Sequence, residues 1–481
     1  MNLFALARVL GGLGLALTAV LLVPLALSLL DGDGAHPSFL AALAASGGLG
    51  GGLLALGRRG PAELTHREGF AVVTLGWVLF GLIGALPYRL HGALPTMVDA
   101  VFESLSGFTT TGATVLTDIE ALPRSLLLWR ATTHWLGGMG IIVLGLAILP
   151  MLGVGGMQMF RAEVPGPTAD RLRPRIQDTA KLLWGVYVAL TAVETLLLML
   201  GGLDWFEAVC HAFATMATGG FSTRNASVAG FGSAYVDAVI TVFMFLAGVN
   251  FALHHAALTG GWRRIRQKEE LKAYGLLTLA AVAVLMVSNA ARTYPSLWEN
   301  LRYSAFQAVS ILTTTGFGTA DYETWPVVGQ VLLVLLMFVG GCAGSTGGGM
   351  KVSRVVLIVK HAWAQLWSLI HPRGVRLVKM DGRPVPPEVL QGVLGFFALY
   401  LLTVGGGALV MAALGVDPVT AVASVIACVG NIGPGLGGVG PTDNYAHLPQ
   451  AGKAVLTFCM LAGRLELFTV FVLFFPGAWR R

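Results

Sequence analysis

Charge is scarce in this chain. Only 12% of its 481 residues are Asp, Glu, Lys or Arg, against roughly 25% in an ordinary soluble domain. A chain whose whole surface faces water is therefore excluded. The formal net charge of +6 does not point to nucleic acid, because the basic residues fall in short segments between apolar runs. Cysteine is rarer still, with four residues. Cys210, Cys342, Cys428 and Cys459 lie in or beside apolar stretches, and no two have the spacing of a metal site or a disulfide framework. Catalytic signatures are missing too. There is no His-Glu-x-x-His, no Gly-x-Ser-x-Gly and no paired intramembrane aspartates, so the chain does not read as an enzyme and needs no cofactor. The run Gly344 to Lys351 is not a phosphate-binding loop, because Met350 separates Gly349 from the lysine and Val352 follows it.

What the chain has is apolar length. Hydrophobic residues make up 55% and glycine contributes 64. Ten stretches reach the ~20 residues that cross a bilayer as helix: 5–30, 37–57, 69–90, 125–152, 180–202, 235–260, 273–291, 327–369 (broken by glycines), 389–414 and 451–475. The first is too long for the ~7–15-residue core of a signal peptide and is taken as a retained span. Four shorter helices are expected near 97–110, 205–217, 297–313 and 418–428, too short to cross. Each carries an N-terminal cap signal: Thr96 before Asp99, Asp204 before Glu207, Ser296 before Glu299, and Asp417 before Pro418.

Each short helix runs into a glycine segment: Ser106 to Ala113, Thr215 to Ser222, Leu312 to Thr319, and Cys428 to Gly433. Aligned on Gly112, Gly219, Gly316 and Gly430, these recur at spacings of 107, 97 and 114 residues. Such a period suits two spans plus a re-entrant turn. Main-chain carbonyls can replace a cation's water shell if glycine relieves the backbone and small residues flank it. The candidate cation ligands are the carbonyls of Thr110, Thr111 and Gly112, of Ala217, Thr218 and Gly219, of Thr314, Thr315 and Gly316, and of Cys428, Val429 and Gly430. The competing reading of one such cluster is a helix-packing surface, but four at regular intervals, each behind a capped short helix, favour a pore. The fold expected is an all-α polytopic membrane protein: two extra transmembrane helices (1–66), then four tandem helix, re-entrant pore helix, helix repeats around one pore (67–160, 161–270, 271–375 and 376–481).

With the N-terminus placed in the cytoplasm, 23 of the 31 Lys and Arg residues fall on the cytoplasmic side. The bias puts both termini inside and the short helices entering from outside. The basic segments 153–180, 261–272 and 351–388 suit an acidic partner surface or anionic membrane lipid. Gly344, Ser345, Thr346, Gly347, Gly348 and Gly349 interrupt the eighth span, at ~1 kcal/mol per glycine relative to alanine. They are expected to form an intramembrane loop that acts as a gate, the alternative being a static kink. Arg464 lies deep in the last span, where a charge needs a wet cavity or a partner. It is read as a positive barrier in the pore, and Glu466, two residues on, is a poor helical partner for it. Asp99, Glu103 and Glu207 either gather cations at the mouth or cap and line its rim. His134, His211, His254 and His255 are read as satisfied buried histidines; a proton relay through them would make uptake coupled.

These features together resemble the Trk/Ktr/HKT superfamily of potassium transport subunits, most closely the TrkH-type proteins. The resemblance covers essentially the whole chain. It rests on the four glycine segments, on His134-Trp-Leu-Gly-Gly-Met-Gly140, on Gly341-Cys-Ala-Gly-Ser-Thr-Gly-Gly-Gly-Met-Lys351 and on Gly463-Arg-Leu-Glu466. It implies potassium uptake across the bacterial inner membrane, a cytoplasmic TrkA-like nucleotide-binding regulatory subunit and a homodimer with one pore per protomer. In that family a serine at the first aligned position accompanies sodium permeation, so Gly112 implies potassium. Val429 departs from the Thr-Gly pattern. The alternative is a secondary symporter coupled to H+ or Na+, which predicts inverted repeats in two halves.

Overall fold

The computed structural model describes residues 1–58, 65–147, 172–290 and 293–479. The tail of the expected span 125–152, most of the basic segment 153–180, Arg59 and the two terminal arginines lie outside them. Among the described residues the regular structure is helical but for two paired two-residue strands, β1 (Lys379–Met380) and β2 (Arg383–Pro384).

Helices α1 (Leu3–Asp31) and α2 (His36–Gly57) form a hairpin. Its two backbones touch where Gly11 and Gly50 meet, the close approach that small residues allow between membrane helices. This pair packs on the first of four units. The first unit is α3 (His66–His91), α4 (Met97–Phe108) and α5 (Arg124–Ala147). The second is α6 (Leu172–Leu200), α7 (Trp205–Met216) and the pair α8 (Ala234–Ala247) and α9 (Phe251–Leu258). A short α10 (Trp262–Gln267) leads to the third: α11 (Glu269–Asn289), α12 (Leu297–Leu312), α13 (Val327–Met337) and α14 (Val352–Ile370). The fourth comprises α15 (Pro387–Ala413), α16 (Pro418–Gly430), α17 (Gln450–Arg464) and α18 (Phe468–Phe471), with α19 (Pro476–Trp479) at the end.

The expected element order is present. The differences lie in the closing helices of the units. Among the described residues, six helices are long and apolar enough to cross a membrane unbroken. The spans expected to be continuous at 235–260 and 451–475 are bent, by 101° between α8 and α9 and by 111° after α17. At the first bend Asn250 caps α9 through its side chain, which accepts from the Ala252 N–H at 2.8 Å. At the second, Glu466 and Leu467 take left-handed φ values of 64° and 45°, which non-glycine residues adopt only when their surroundings hold them there. Apolar composition does not distinguish a straight span from a bent one, so neither bend is legible in the residues alone.

Ion pairs stitch neighbouring units together. Arg124 of the first unit reaches Asp204 of the second at 3.7 Å, Asp237 of the second meets Arg302 of the third at 2.8 Å, and Lys453 of the fourth meets Asp99 of the first at 2.7 Å. Third and fourth units are joined by the Arg354–Glu466 pair, by Tyr322 Oη donating to the Gly435 carbonyl, 2.7 Å, and by the Gly437 N–H donating to Glu323, 2.6 Å.

Candidate functional site

The four short helices α4, α7, α12 and α16 start with the expected caps, with one exception. Thr96 accepts from the Asp99 N–H, Asp204 from Glu207 and Asp417 from Thr420, at 3.1, 2.8 and 3.0 Å. Ser296 occupies the N-cap position but its side chain makes no capping bond.

All four helices end in the same way. One residue turns into the left-handed region, and a glycine with positive φ follows two positions later. The first residues are Thr110, Thr218, Thr314 and Asn431, with φ of 50°, 53°, 61° and 54°. The glycines are Gly112, Gly220, Gly316 and Gly433, with φ of 79°, 82°, 80° and 94°. The terminating hydrogen bonds share this register: Thr110 N–H to Gly107, Thr218 to Thr215, Thr314 to Ile311 and Asn431 to Cys428.

The structural register therefore corrects two of the expected segments. In the first and third segments the residues in this register are Thr110-Thr111-Gly112 and Thr314-Thr315-Gly316. In the second, the residues equivalent to Thr110-Thr111-Gly112 are Thr218-Gly219-Gly220, so Ala217 is the helix C-cap. In the fourth they are Asn431-Ile432-Gly433, and Cys428, Val429 and Gly430 form the last turn of α16. Two adjacent glycines in one segment, and two glycines three apart in the other, hid the phase. A signal was present in the fourth: asparagine tolerates positive φ better than most residues, and Asn431-Ile-Gly433 has the spacing of Thr110-Thr-Gly112.

The loops touch in a closed circuit. A Cβ on Gly112 would strike the Gly219 carbonyl oxygen, one on Gly220 the Thr315 oxygen, one on Gly316 the Ile432 oxygen, and one on Gly433 the Thr111 oxygen. Unit one thus meets two, two meets three, three meets four and four meets one. Only loops surrounding a common axis close in this way. They place four equivalent main-chain oxygens, from Thr111, Gly219, Thr315 and Ile432, in one ring.

Side chains brace the ring, alike in the first and third units and differently in the fourth. In the first and third, Thr109 Oγ1 meets Thr111 Oγ1 and Thr313 Oγ1 meets Thr315 Oγ1, both at 2.8 Å. In the fourth, Asn431 Nδ2 donates to Thr111 Oγ1 at 3.0 Å and to the Met460 carbonyl at 2.9 Å.

The acids expected near the mouth are paired. Glu103 is fully buried against Arg130, Oε1 to Nε 3.0 Å, and accepts from the Val115 N–H. Glu207 binds Arg224 at 2.9 Å, and Asp99 binds Lys453. The histidines are satisfied where the structure gives them partners: His211 lies between the Glu207 carbonyl and Ser222 Oγ, and His254 meets the Leu246 carbonyl.

The glycine-rich stretch between α13 and α14 is a loop, with positive φ at Gly344 and Gly349. It lies against the C-terminal ends of the short helices. Thr346 Oγ1 donates to the Met216 carbonyl at 2.9 Å, the Gly348 N–H donates to Thr314 Oγ1 at 2.7 Å, and Gly348 abuts the Gly430 carbonyl. Lys351, 9% exposed, turns its amine back onto the Gly347 carbonyl. Arg464, 2% exposed, donates to the Thr346 carbonyl at 2.7 Å and across to the Gly137 carbonyl in α5 at 3.2 Å. The loop and its arginine together touch all four units beside the ring. Glu466 does not pair with Arg464; it pairs with Arg354. In the sequence Lys351 marks only the end of the glycine-rich motif, and Arg354 reads as one of the cytoplasmic charges.

A single chain that folds four helix, short helix, helix units about one axis, with a carbonyl ring at its centre, is a pore-loop membrane transport protein. Comparison with known proteins makes this specific. The family TrkH, cation transport protein, matches residues 35–479. The chain is 43% identical to the Trk system potassium uptake protein TrkH of Halomonas elongata and 42% identical to that of Escherichia coli K12, each alignment covering all of both chains. It superposes on the crystal structure of the potassium transporter TrkH from Vibrio parahaemolyticus with a TM-score of 0.92 at 36% identity, again over the whole of both chains. The chain belongs to the TrkH family of cation transport proteins, which transport and do not catalyse.

Proposed function

We propose that this protein takes up potassium across the bacterial cytoplasmic membrane, with the carbonyl ring as its selectivity filter. The closed four-unit circuit carries the reading. A potassium ion entering the ring exchanges water for main-chain oxygens of the register-corrected segments: Thr110, Thr111 and Gly112; Thr218, Gly219 and Gly220; Thr314, Thr315 and Gly316; and Asn431, Ile432 and Gly433. Each short helix ends at this ring, so the negative ends of four helix dipoles favour a cation there. Potassium comes from the names of the full-length relatives. Four units running in the same sense do not suit a coupled symporter built from inverted halves.

The glycine loop 344–349 and Arg464 form the gate. Arg464 supplies a positive charge below the filter and fastens the loop to α5; its release would open the path. Both termini lie in the cytoplasm, and the short helices begin at the outer face. A cytoplasmic TrkA-like nucleotide-binding subunit acts on the loop through α14, and two chains assemble as a homodimer. The four units correspond to the sequence repeats bounded at 67–160, 161–270, 271–375 and 376–481.

The test is growth of a potassium-uptake-deficient strain at low potassium. The wild-type chain is expected to restore growth, and Gly316→Ser, inserted in the membrane at equal level, is expected to abolish it. Equal rescue by the two would overturn the filter assignment.

A further inference from the structure

The ring residue of the second unit differs from the other three. Thr111 and Thr315 are held through their hydroxyls by Thr109 and Thr313, and Ile432 is fully buried, whereas Gly219 carries no side chain. Its φ is not left-handed, so the backbone itself does not demand glycine. The space a Cβ would occupy is filled by the imidazole of His134, whose Cγ, Cδ2 and Nδ1 all lie within 2.6 Å of that point. His134 belongs to α5, in the first unit.

The imidazole is fully buried, and both its nitrogens are committed to main-chain groups. Nδ1 lies 2.8 Å from the Gly107 carbonyl, in the last turn of α4. Nε2 lies 3.1 Å from the Phe221 N–H, one residue past Gly220. A carbonyl can only accept and an N–H can only donate, so the partners fix the tautomer: Nδ1 carries the hydrogen and Nε2 the lone pair. One ring thus joins the end of the first short helix to the strand leaving the second filter segment. Phe221 is held by two groups. The His134 ring centroid is 4.1 Å from its own, and the Arg130 guanidinium sits 3.9 Å above it. Arg130 also donates to the Ser222 carbonyl at 3.0 Å and is itself held by Glu103.

We propose that His134 is a specificity-determining positioning residue of the pore: it substitutes for the side chain that Gly219 lacks and fixes the Gly219 carbonyl at its place in the ring. This rests on the reading of the ring as the cation filter. Discrimination between potassium and a smaller cation is a difference between two coordination energies, so an oxygen free to move inward serves the smaller ion. Thr111 and Thr315 are braced through their own hydroxyls; Gly219 has no side chain, and an imidazole from a neighbouring unit takes its place.

The test uses the full-length protein in proteoliposomes, reading rubidium uptake and its competition by sodium against potassium. His134→Asn keeps an amide near the Nδ1 position but loses the acceptor for Phe221. It is expected to lower potassium-over-sodium discrimination at least about ten-fold. His134→Gln carries an amide oxygen as far as Nε2 and is expected to retain most of it. Gly219→Ala, which places a methyl against the ring, is expected to lower discrimination as His134→Asn does, and the two changes combined are expected to cost less than their sum. Unchanged discrimination in Gly219→Ala or in His134→Asn would overturn the proposal, as would equal losses in the Asn and Gln variants. Gly219→Ala carries the test alone if the histidine variants do not fold. Gly316→Ser, in the neighbouring third unit, distinguishes failure of the filter reading from failure of the role of His134. If it leaves discrimination intact, the filter reading fails; if it alone destroys discrimination, only the role of His134 fails.

Discussion

The first and third units carry the same four residues at the ring, Thr109-Thr-Thr-Gly112 and Thr313-Thr-Thr-Gly316. They fold them alike, with left-handed threonines, glycines at φ 79° and 80°, and the same contact between threonine hydroxyls. Their closing helices nevertheless diverge. α5 runs from Arg124 to Ala147 without a break, whereas the third unit stops at Met337 and resumes only at Val352. Both stretches are rich in glycine. In α5 the glycines serve close approach within a helix: Gly137 lies against the Phe108 carbonyl and Gly138 against Ala217. In the third unit six glycines fall between 340 and 349, and two take positive φ. Ring geometry is therefore a local property of the short helix and its loop. Whether a unit also supplies a gate is decided by the helix that follows.

Breaking the shared feature is expected to have the largest effect. Gly112→Ser and Gly316→Ser each force a Cβ into left-handed backbone and onto a neighbouring carbonyl. Each is expected to reduce rubidium uptake by at least about ten-fold, equally in the two units, since strain of this kind costs ~1–3 kcal/mol before the collision is counted. A loss in one unit only would show that the ring is not symmetric in use.

The braces separate the units next. Seven residues before the left-handed threonine, the first unit has Glu103 and the third has Gln307. Glu103 neutralises the buried Arg130, while Gln307 donates one hydrogen bond to the Ala320 carbonyl at 3.2 Å. Glu103→Gln strands a buried charge and is expected to cost about 3–5 kcal/mol; Gln307→Leu is expected to cost only about 1 kcal/mol. Thermal unfolding in detergent measures both, and similar losses would contradict the pairing described.

Arg464 joins the two compared units, binding the Thr346 carbonyl of one and the Gly137 carbonyl of the other. If it holds the loop shut, Arg464→Gln removes charged hydrogen bonds that contribute roughly 1.5–3 kcal/mol each. Basal uptake without any partner protein is expected to rise several-fold; a fall would assign the arginine a supporting role in conduction instead.

The smallest contrast lies at the helix starts. Thr96 caps α4 and Ser296 makes no such bond to α12. Thr96→Ala is expected to cost about 1 kcal/mol and Ser296→Ala close to nothing, read again by thermal unfolding.

The amino-acid sequence by itself determined the apolar spans, the four short helices, their order and the Thr-Thr-Gly segments of the first and third units. Those depend on interactions within a few residues: apolar length, an N-cap, a glycine where φ must be positive. Tertiary structure decided the rest. The phase of the second and fourth segments follows from which carbonyl meets the next loop, and Gly219 is glycine because a histidine from another unit fills its side-chain space. The bends after α8 and α17, the partners of Glu103, Asp99 and Arg464, and the roles of Lys351 and Arg354 all depend on groups tens to hundreds of residues away in sequence. A buried charge must find a partner, but composition and spacing do not say which one; only the packing of four units about one axis does.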